Sequence, residues 1–149
     1  MALTFTNSVG RFAKLTKKSM RRAAMESIQD VLERAQTSAQ GVTAGGQLIE
    51  GRIPVVSADL INSLAVEVNG TLGAEDENSY ITAIARFKLG DTLRFGWTVE
   101  YAARVHSGFT GPDSLGRVYN QQGWHWITPH VARWKQIVRR NITRFGRNK

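Results

Sequence analysis

Three histidines, His106, His125 and His130, are the side chains best suited to chemistry near neutral pH. His125 and His130 are five residues apart across Pro129, whereas a helical pair of metal ligands is separated by four. No carboxylate lies close enough in sequence to complete an obvious metal set. A cluster that forms only on folding, with His106 added, stays open as an alternative. We therefore predict no metal site.

A second possible chemistry is nucleophilic, because Ser107 follows His106 directly. A serine nucleophile needs a base and an orienting group in fixed geometry, and the sequence predicts no such geometry. The chain also contains neither a Walker phosphate loop nor the glycine fingerprint of dinucleotide-binding proteins. A small basic ribonuclease that works with one histidine and a few Arg or Lys residues is the remaining enzymatic alternative. We predict no enzyme, no catalytic residue and no cofactor.

Charge is the strongest compositional signal. The chain has 20 Lys and Arg residues against 12 Asp and Glu residues, which gives a net charge of +8. Both ends are basic and the middle is acidic: residues 1–22 hold no acid, and residues 41–78 hold one Arg beside six acids. A polyanion partner explains this pattern, and so does self-assembly in which basic ends meet acidic middles of neighbouring copies. Solubility alone is a third explanation.

The basic residues lie on the two predicted terminal helices. Positive charge in the first half of a helix opposes the macrodipole, which favours acids there. A polyanion or an acidic neighbour would offset this penalty, while a solvated face that accepts it is the simpler alternative. The residues predicted to make such contacts are Lys14, Lys17, Lys18, Arg21, Arg22, Arg139 and Arg140.

The elements that must position these residues define an α+β fold with one domain over 1–149. Apolar residues at steps of three and four predict a long N-terminal helix over 8–39 and a C-terminal helix over 127–145, with Trp134 on its apolar stripe. Residues 40–56 form a linker or arm, 57–109 the sheet and hub, and 110–126 an extended loop or arm. Both helices are expected to pack on a small antiparallel β-sheet.

Three β-rich runs, 64–68, 80–87 and 92–97, predict that sheet as an antiparallel meander. Asn69 and Gly70 mark the first turn. The stretch from Trp97 to Phe109 then joins the last strand to the arm, and we predict that it is the hub of an assembly subunit. Paired aromatic residues in a loop are typical anchors of protein partners. The predicted partner-binding residues are Tyr101, His106, Phe109, Trp124 and Trp126.

Three segments of the chain are similar to motifs of a known family. Residues 54–64 contain a proline and then Ser57-Ala58-Asp59-Leu60, like the family's proline followed by Thr/Ser-Gly-x-Leu. Residues 101–108 are similar to its Tyr-Ala-x-x-Val-Glu-x-Gly, and residues 127–131 stand at its entry to the last helix. On these segments the chain resembles small tail-completion and neck proteins, the head–tail joining proteins of long-tailed double-stranded DNA bacteriophages. It differs from them at Ala58, at His106 and in a longer 110–126 segment.

The resemblance implies a structural virion protein that forms a ring, which we expect to be hexameric, and joins or completes the head–tail junction. The implied partners are copies of itself, head-connector or stopper proteins, and tail-tube or tail-terminator proteins. DNA in the lumen is a further partner, contacted without sequence specificity. The implied location is the virion, after assembly in the host cytoplasm, with no membrane. A stand-alone basic nucleic-acid-binding protein, with aromatic side chains that stack on bases, is the alternative function.

Overall fold

The computed structural model describes the backbone of residues 5–146 and the side chains of residues 16–146. The α+β fold class is confirmed. Among the described residues, no helix has the length and apolar character needed to cross a membrane. In chain order the elements are α1 (Phe5–Ala35), β1 (Ser38–Gln40), a 3-10 turn (Val42–Ala44), β2 (Ile53–Val55), α2 (Asp59–Asn62), β3 (Leu64–Val68), β4 (Thr71–Leu72), α3 (Ser79–Ala85), β5 (Leu93–Trp97), α4 (Ala102–Ser107), β6 (Gly108–Pro112), β7 (Val118–Gln122), α5 (Thr128–Val131) and α6 (Trp134–Gly146).

The long N-terminal helix is present, but α1 ends at Ala35 rather than at residue 39. Residues 38 and 39 were predicted to end this helix and residue 40 to begin the linker or arm, and both assignments are wrong for Ser38–Gln40. They form β1, which pairs in parallel with β2 in the register Ser38 to Ile53. The backbone groups of β1 thus find hydrogen-bond partners fifteen residues further along the chain, a pairing that local composition cannot indicate.

The main sheet has three strands in the order β4-β3-β5, all antiparallel. Its third strand is not the predicted run over 80–87, which forms α3 instead. Tyr80, Ile84 and Phe87 are buried at helical spacing, while Ile81 is exposed. A short apolar run can form either a strand or a helix, and its β-rich composition led to the wrong element here. The predicted Asn69-Gly70 turn is confirmed between β3 and β4, with positive φ at both residues.

Helix α1 and helix α6 lie antiparallel against one another. The Ser19 hydroxyl donates to the Phe145 carbonyl at 3.5 Å, and the Asn141 amide donates to the Ser27 hydroxyl at 3.0 Å. Both helices contribute to a buried cluster with the sheet and α3, composed of Val31, Leu32, Leu64, Tyr80, Ile84 and Ile137. The terminal helices therefore cover the sheet as predicted.

The C-terminal helix differs from its prediction in two ways. It consists of α5 and α6, separated at residues 132–133 where the Arg133 N–H donates to the His130 carbonyl three residues back. Its buried face is Ile137, Asn141 and Phe145, so Trp134, predicted to be core, is 40% exposed. Asn141 takes a core position because its amide also donates to the Asp30 carboxylate at 3.2 Å. A polar residue buried by its hydrogen bonds shifts the face that hydrophobic periodicity predicts.

Candidate assembly surface

The two tryptophans at the end of the predicted arm, residues 110–126, are inside the protein. Trp124 is 7% exposed and Trp126 is 1% exposed. The Trp126 ring meets the Trp97 ring edge-on at 5.8 Å between centroids, and the Trp124 carbonyl accepts a hydrogen bond from the Gly51 N–H at 2.7 Å. The hypothesis that Trp124 and Trp126 anchor a partner does not fit this burial. Both indoles form the core below the arm.

His106 packs edge-on against Trp126, with 4.9 Å between ring centroids. Its Nε2 accepts a hydrogen bond from the Ile127 N–H at 3.3 Å. Burial lowers the pKa of His106, and the nearby His125 lowers it further. An imidazole nitrogen accepts a hydrogen bond only when it carries no proton, so this contact requires the neutral ring. His106 therefore acts as a packing residue that fixes the chain where it enters α5.

The other two histidines contact the turn at Glu50–Gly51. His125, which has φ of 45°, places its Nδ1 3.4 Å from the Glu50 carboxylate. The Nε2 atom of His130 lies 2.8 Å from the Gly51 carbonyl. Folding thus brings His106 and His125 together, but within the described part of the chain no group of three His, Asp or Glu residues could hold a metal ion.

The predicted arm is an antiparallel β-hairpin. Strands β6 and β7 pair from Gly108–Gln122 at the base to Pro112–Val118 near the tip, and we call residues 108–122 the arm. The Asp113 carboxylate organises its turn by accepting the N–H groups of Leu115 and Arg117 at 2.9 and 2.8 Å, and the Arg117 side chain at 2.7 Å. Loss of solvent raises the pKa of Asp113, but these hydrogen bonds outweigh it and leave that pKa below its ordinary value.

Two glycines allow the two backbone segments at the base of the arm to approach each other closely. Gly108 has φ of 82°, and a Cβ there would lie 2.6 Å from the Gln121 carbonyl oxygen. A Cβ at Gly123 would collide with the His106 carbonyl oxygen. Only glycine combines a positive φ with this proximity of another backbone. The direction of the arm is therefore fixed by its backbone at the base.

The tip of the arm exposes aliphatic side chains. Leu115 is 75% exposed and Val118 is 80% exposed. Phe109, nearer the base, is half-buried, with the Arg104 guanidinium 4.4 Å above its ring and the Tyr119 ring at 6.2 Å. Of the predicted partner-binding residues, Phe109 is thus only partly available to a partner.

Tyr101 stands beside a groove at the foot of the arm. The groove joins a cavity of about 730 Å³, which Val42 and Gln121 help to line, to one of about 100 Å³ beside Tyr101, and Val56 lines both. Tyr101 is exposed, and burial and the Asp59 carboxylate raise its pKa. Of the five predicted partner-binding residues, Tyr101 is therefore the most accessible.

The two basic ends of the sequence meet in the fold, because α1 and α6 run antiparallel. The Arg22 guanidinium lies 4.4 Å from the centre of the Phe145 ring, and that of Arg144 lies 5.0 Å from it. Lys17 and Lys18 are exposed on the same half of α1. This places the basic segments side by side, which a linear charge pattern does not show.

The remaining predicted basic contacts have different environments. Arg21 donates to the Phe87 carbonyl at 2.8 Å, just beyond α3, and Arg140 lies 3.5 Å from the Asp30 carboxylate. Arg139 is exposed, and the side chain of Lys14 lies outside the described residues. Arg21 and Arg140 are therefore engaged within the chain, whereas Arg139 is available to a partner.

No protein-family model matches the chain, and neither a curated protein nor a solved structure matches it. The resemblance to bacteriophage neck and tail-completion proteins therefore stays a prediction.

Sequence reasoning missed the exposed residues Leu115, Val118, Val42 and Val56. A signal was present for the first two, because Gly111-Pro112-Asp113 and Gly116 are typical turn residues and place Leu115 and Val118 near a turn. No signal marked Val42 and Val56, whose exposure depends on the pairing of β1 with β2.

Proposed function

We propose that the chain is a structural virion subunit of the neck or tail end of a long-tailed bacteriophage, and that it assembles with copies of itself in a ring. The observation that carries this proposal is the arm, a projecting hairpin with a fixed base and an apolar tip. The segment resembling the family motif, residues 101–108, ends at that base. The ring then meets head-connector or stopper proteins on one side and tail-tube or tail-terminator proteins on the other.

The physical argument concerns the tip. A two-stranded hairpin is at best marginally stable by itself in water, and this one exposes Leu115 and Val118 almost completely. Covering both side chains would stabilise an assembly by roughly 1.5–3 kcal/mol per fully buried residue. The Asp113 turn already holds the tip in shape, so little conformational freedom is lost on binding. The arm is thus suited to contact a neighbouring subunit.

A ring requires two different surfaces on each subunit, because each interface joins the head of one copy to the tail of the next. The tip of the arm exposes Leu115 and Val118, whereas the groove at its foot exposes Val42 and Val56. The chain therefore carries unlike apolar surfaces, as a closed ring needs.

Two experiments test the proposal. Mass spectrometry of purified particles should find the chain at a small fixed ratio to the tail-tube protein. The variant Leu115→Ser/Val118→Ser should fold normally but fail to enter particles, whereas the control Ile49→Ser, at another exposed aliphatic residue, should enter normally. Absence of the chain from particles would contradict the structural role, and normal incorporation of the tip variant would contradict the role of the arm.

The alternative function is nucleic-acid binding, and the specific observation in its favour is the meeting of the basic segments along α1 and α6. Phosphate contacts there would make DNA affinity fall steeply as salt rises. A titration of duplex DNA over a salt series separates the alternatives. Steep, salt-dependent binding by a chain that is absent from particles would support the alternative.

A further inference from the structure

One side of α6 carries apolar and basic side chains together and has no partner among the described residues. Trp134 and Ile142 lie towards the two ends of α6 and are 40% and 53% exposed. Lys135 and Arg139 lie between them, four residues apart and so on one face of the helix, and both are exposed. Neither makes an ion pair with any described side chain. We call these four residues the α6 flank.

A groove elsewhere on the molecule has an acidic loop at its border. It lies between the β3–β4 hairpin and α3, has a volume of about 540 Å³, and is lined by apolar side chains that include Val66, Val68 and Leu72. The loop before α3 borders it with Glu75, Asp76 and Glu77, all exposed and none in an ion pair with a described side chain. One basic residue, Arg86, also lines the groove.

The acidic loop is held in place by hydrogen bonds of its backbone. The Asp76 N–H donates to the Leu64 carbonyl at 3.1 Å, and the Gln36 side chain donates to the Glu77 carbonyl at 2.9 Å. The backbone that carries the three carboxylates is therefore held in a defined position. Such a rim suits a rigid basic partner, because fewer side chains must be ordered on binding.

We propose that the α6 flank of one copy docks in the acid-rimmed groove of a second copy. A helix that lays an apolar row into a groove is a common mode of recognition, and here Lys135 and Arg139 would face Glu75 and Glu77 while Trp134 covers Leu72. The two surfaces differ, so the contact is heterologous and repeats from copy to copy. The inference deepens the proposed function, on which its place in a ring rests.

Charge complementarity selects this occupant over others. The groove offers apolar surface beside three carboxylates, which repel nucleic acid and attract a basic amphipathic helix. The chain supplies such a helix in α6, so each copy carries one helix and one groove. Free phosphate-bearing partners would instead occupy the flank and leave the groove empty, an outcome that the experiment below detects.

The test mixes isotopically heavy and light copies of the purified full-length chain and joins adjacent amines and carboxylates with a zero-length carbodiimide reagent. We expect heavy–light cross-links between Lys135 and the Glu75–Glu77 loop, weakening as salt rises. Lys135→Glu/Arg139→Glu should lower the yield of associated protein at least about tenfold, and Glu75→Lys/Glu77→Lys should do the same. Combining equal amounts of the two variants should restore association.

A control variant, Arg52→Glu/Lys88→Glu, changes net charge equally at exposed residues outside both surfaces and should leave association unchanged. Failure of the mixed variants to restore association, or cross-links that are only within one copy, would overturn the proposal. So would DNA binding that is lost in the flank variant while the groove variant behaves as wild type. Because the purified chain is used, this result is independent of whether the chain is found in phage particles.

Discussion

Apolar side chains are buried at the base of the arm and exposed at its tip. At the base, Trp124 and Trp126 are enclosed in a buried cluster, and the Trp126 ring packs against Trp97 and His106. At the tip, Leu115 and Val118 face solvent. The sequence gives the larger and more conspicuous aromatic residues to the base and the smaller aliphatic residues to the tip. The position of a side chain in the arm therefore indicates whether it is free to bind a partner. Its residue type is a poorer guide.

The largest effect is expected from removing the indole at the base. Trp126→Ala should lower the free energy of unfolding by about 3–5 kcal/mol, because it leaves a cavity among buried side chains. Urea unfolding monitored by far-UV circular dichroism measures it. A loss below about 1 kcal/mol would show that the base is not part of the core.

The next largest effect is expected at Gly108, where two backbone segments approach closely. Gly108→Ala should destabilise the chain by about 2–4 kcal/mol, because its Cβ meets the Gln121 carbonyl oxygen and its φ is positive. Gly116→Ala is the matched control: φ there is also positive, at 79°, but no heavy atom lies near the added Cβ, so about 1 kcal/mol is expected. Equal losses in the two variants would contradict a close crossing at the base.

A smaller, pH-dependent effect is expected from His106. Its folded-state pKa lies below the ordinary value of 6.5, so the unfolded chain binds the proton more readily. The contribution of neutral His106 to the free energy of unfolding is therefore complete above pH 6.5. It should be lost as pH falls from 6.5 through the lower pKa of the folded state. His106→Gln should remove this part of the pH dependence, measured by unfolding over a pH series. An unchanged profile would show that His106 does not titrate as a packed, neutral ring.

The smallest effect is expected at the tip. Leu115→Ala and Val118→Ala should each change the free energy of unfolding by no more than about 0.5 kcal/mol, because both side chains are exposed in the single chain. Thermal unfolding of the purified chain measures this change. A larger loss would mean that the tip side chains pack within their own chain and differ less in burial from those at the base.

How far the fold could be predicted depended on whether an element is specified locally. A long N-terminal helix and the Asn69-Gly70 turn are specified by nearby residues, and both are present. Helix α3 was missed because the β-rich composition of residues 80–87 favours a strand, whereas Tyr80, Ile84 and Phe87 are buried at helical spacing. The buried face of α6 was missed because Asn141 is drawn inward by Ser27 and Asp30, which lie more than a hundred residues away.

The candidate site was predictable in outline and not in detail. The position of the arm was indicated by its glycines and turn residues. Which aromatic residues remain available was not, because burial of Trp124 and Trp126 depends on contacts with β2, α2 and α4. The two basic segments lie side by side only because α1 packs antiparallel to α6, and no local pattern specifies that packing.

The glycine crossing beneath the arm has a consequence for variation in this protein. Gly108 and Gly123 fix where the hairpin points, while residues 113–118 determine what it presents there. Direction and contact chemistry are consequently encoded by separate positions. A hairpin tip of different composition can replace the present one without changing the direction of the arm, so the surface that the arm presents can change through substitutions at the tip alone.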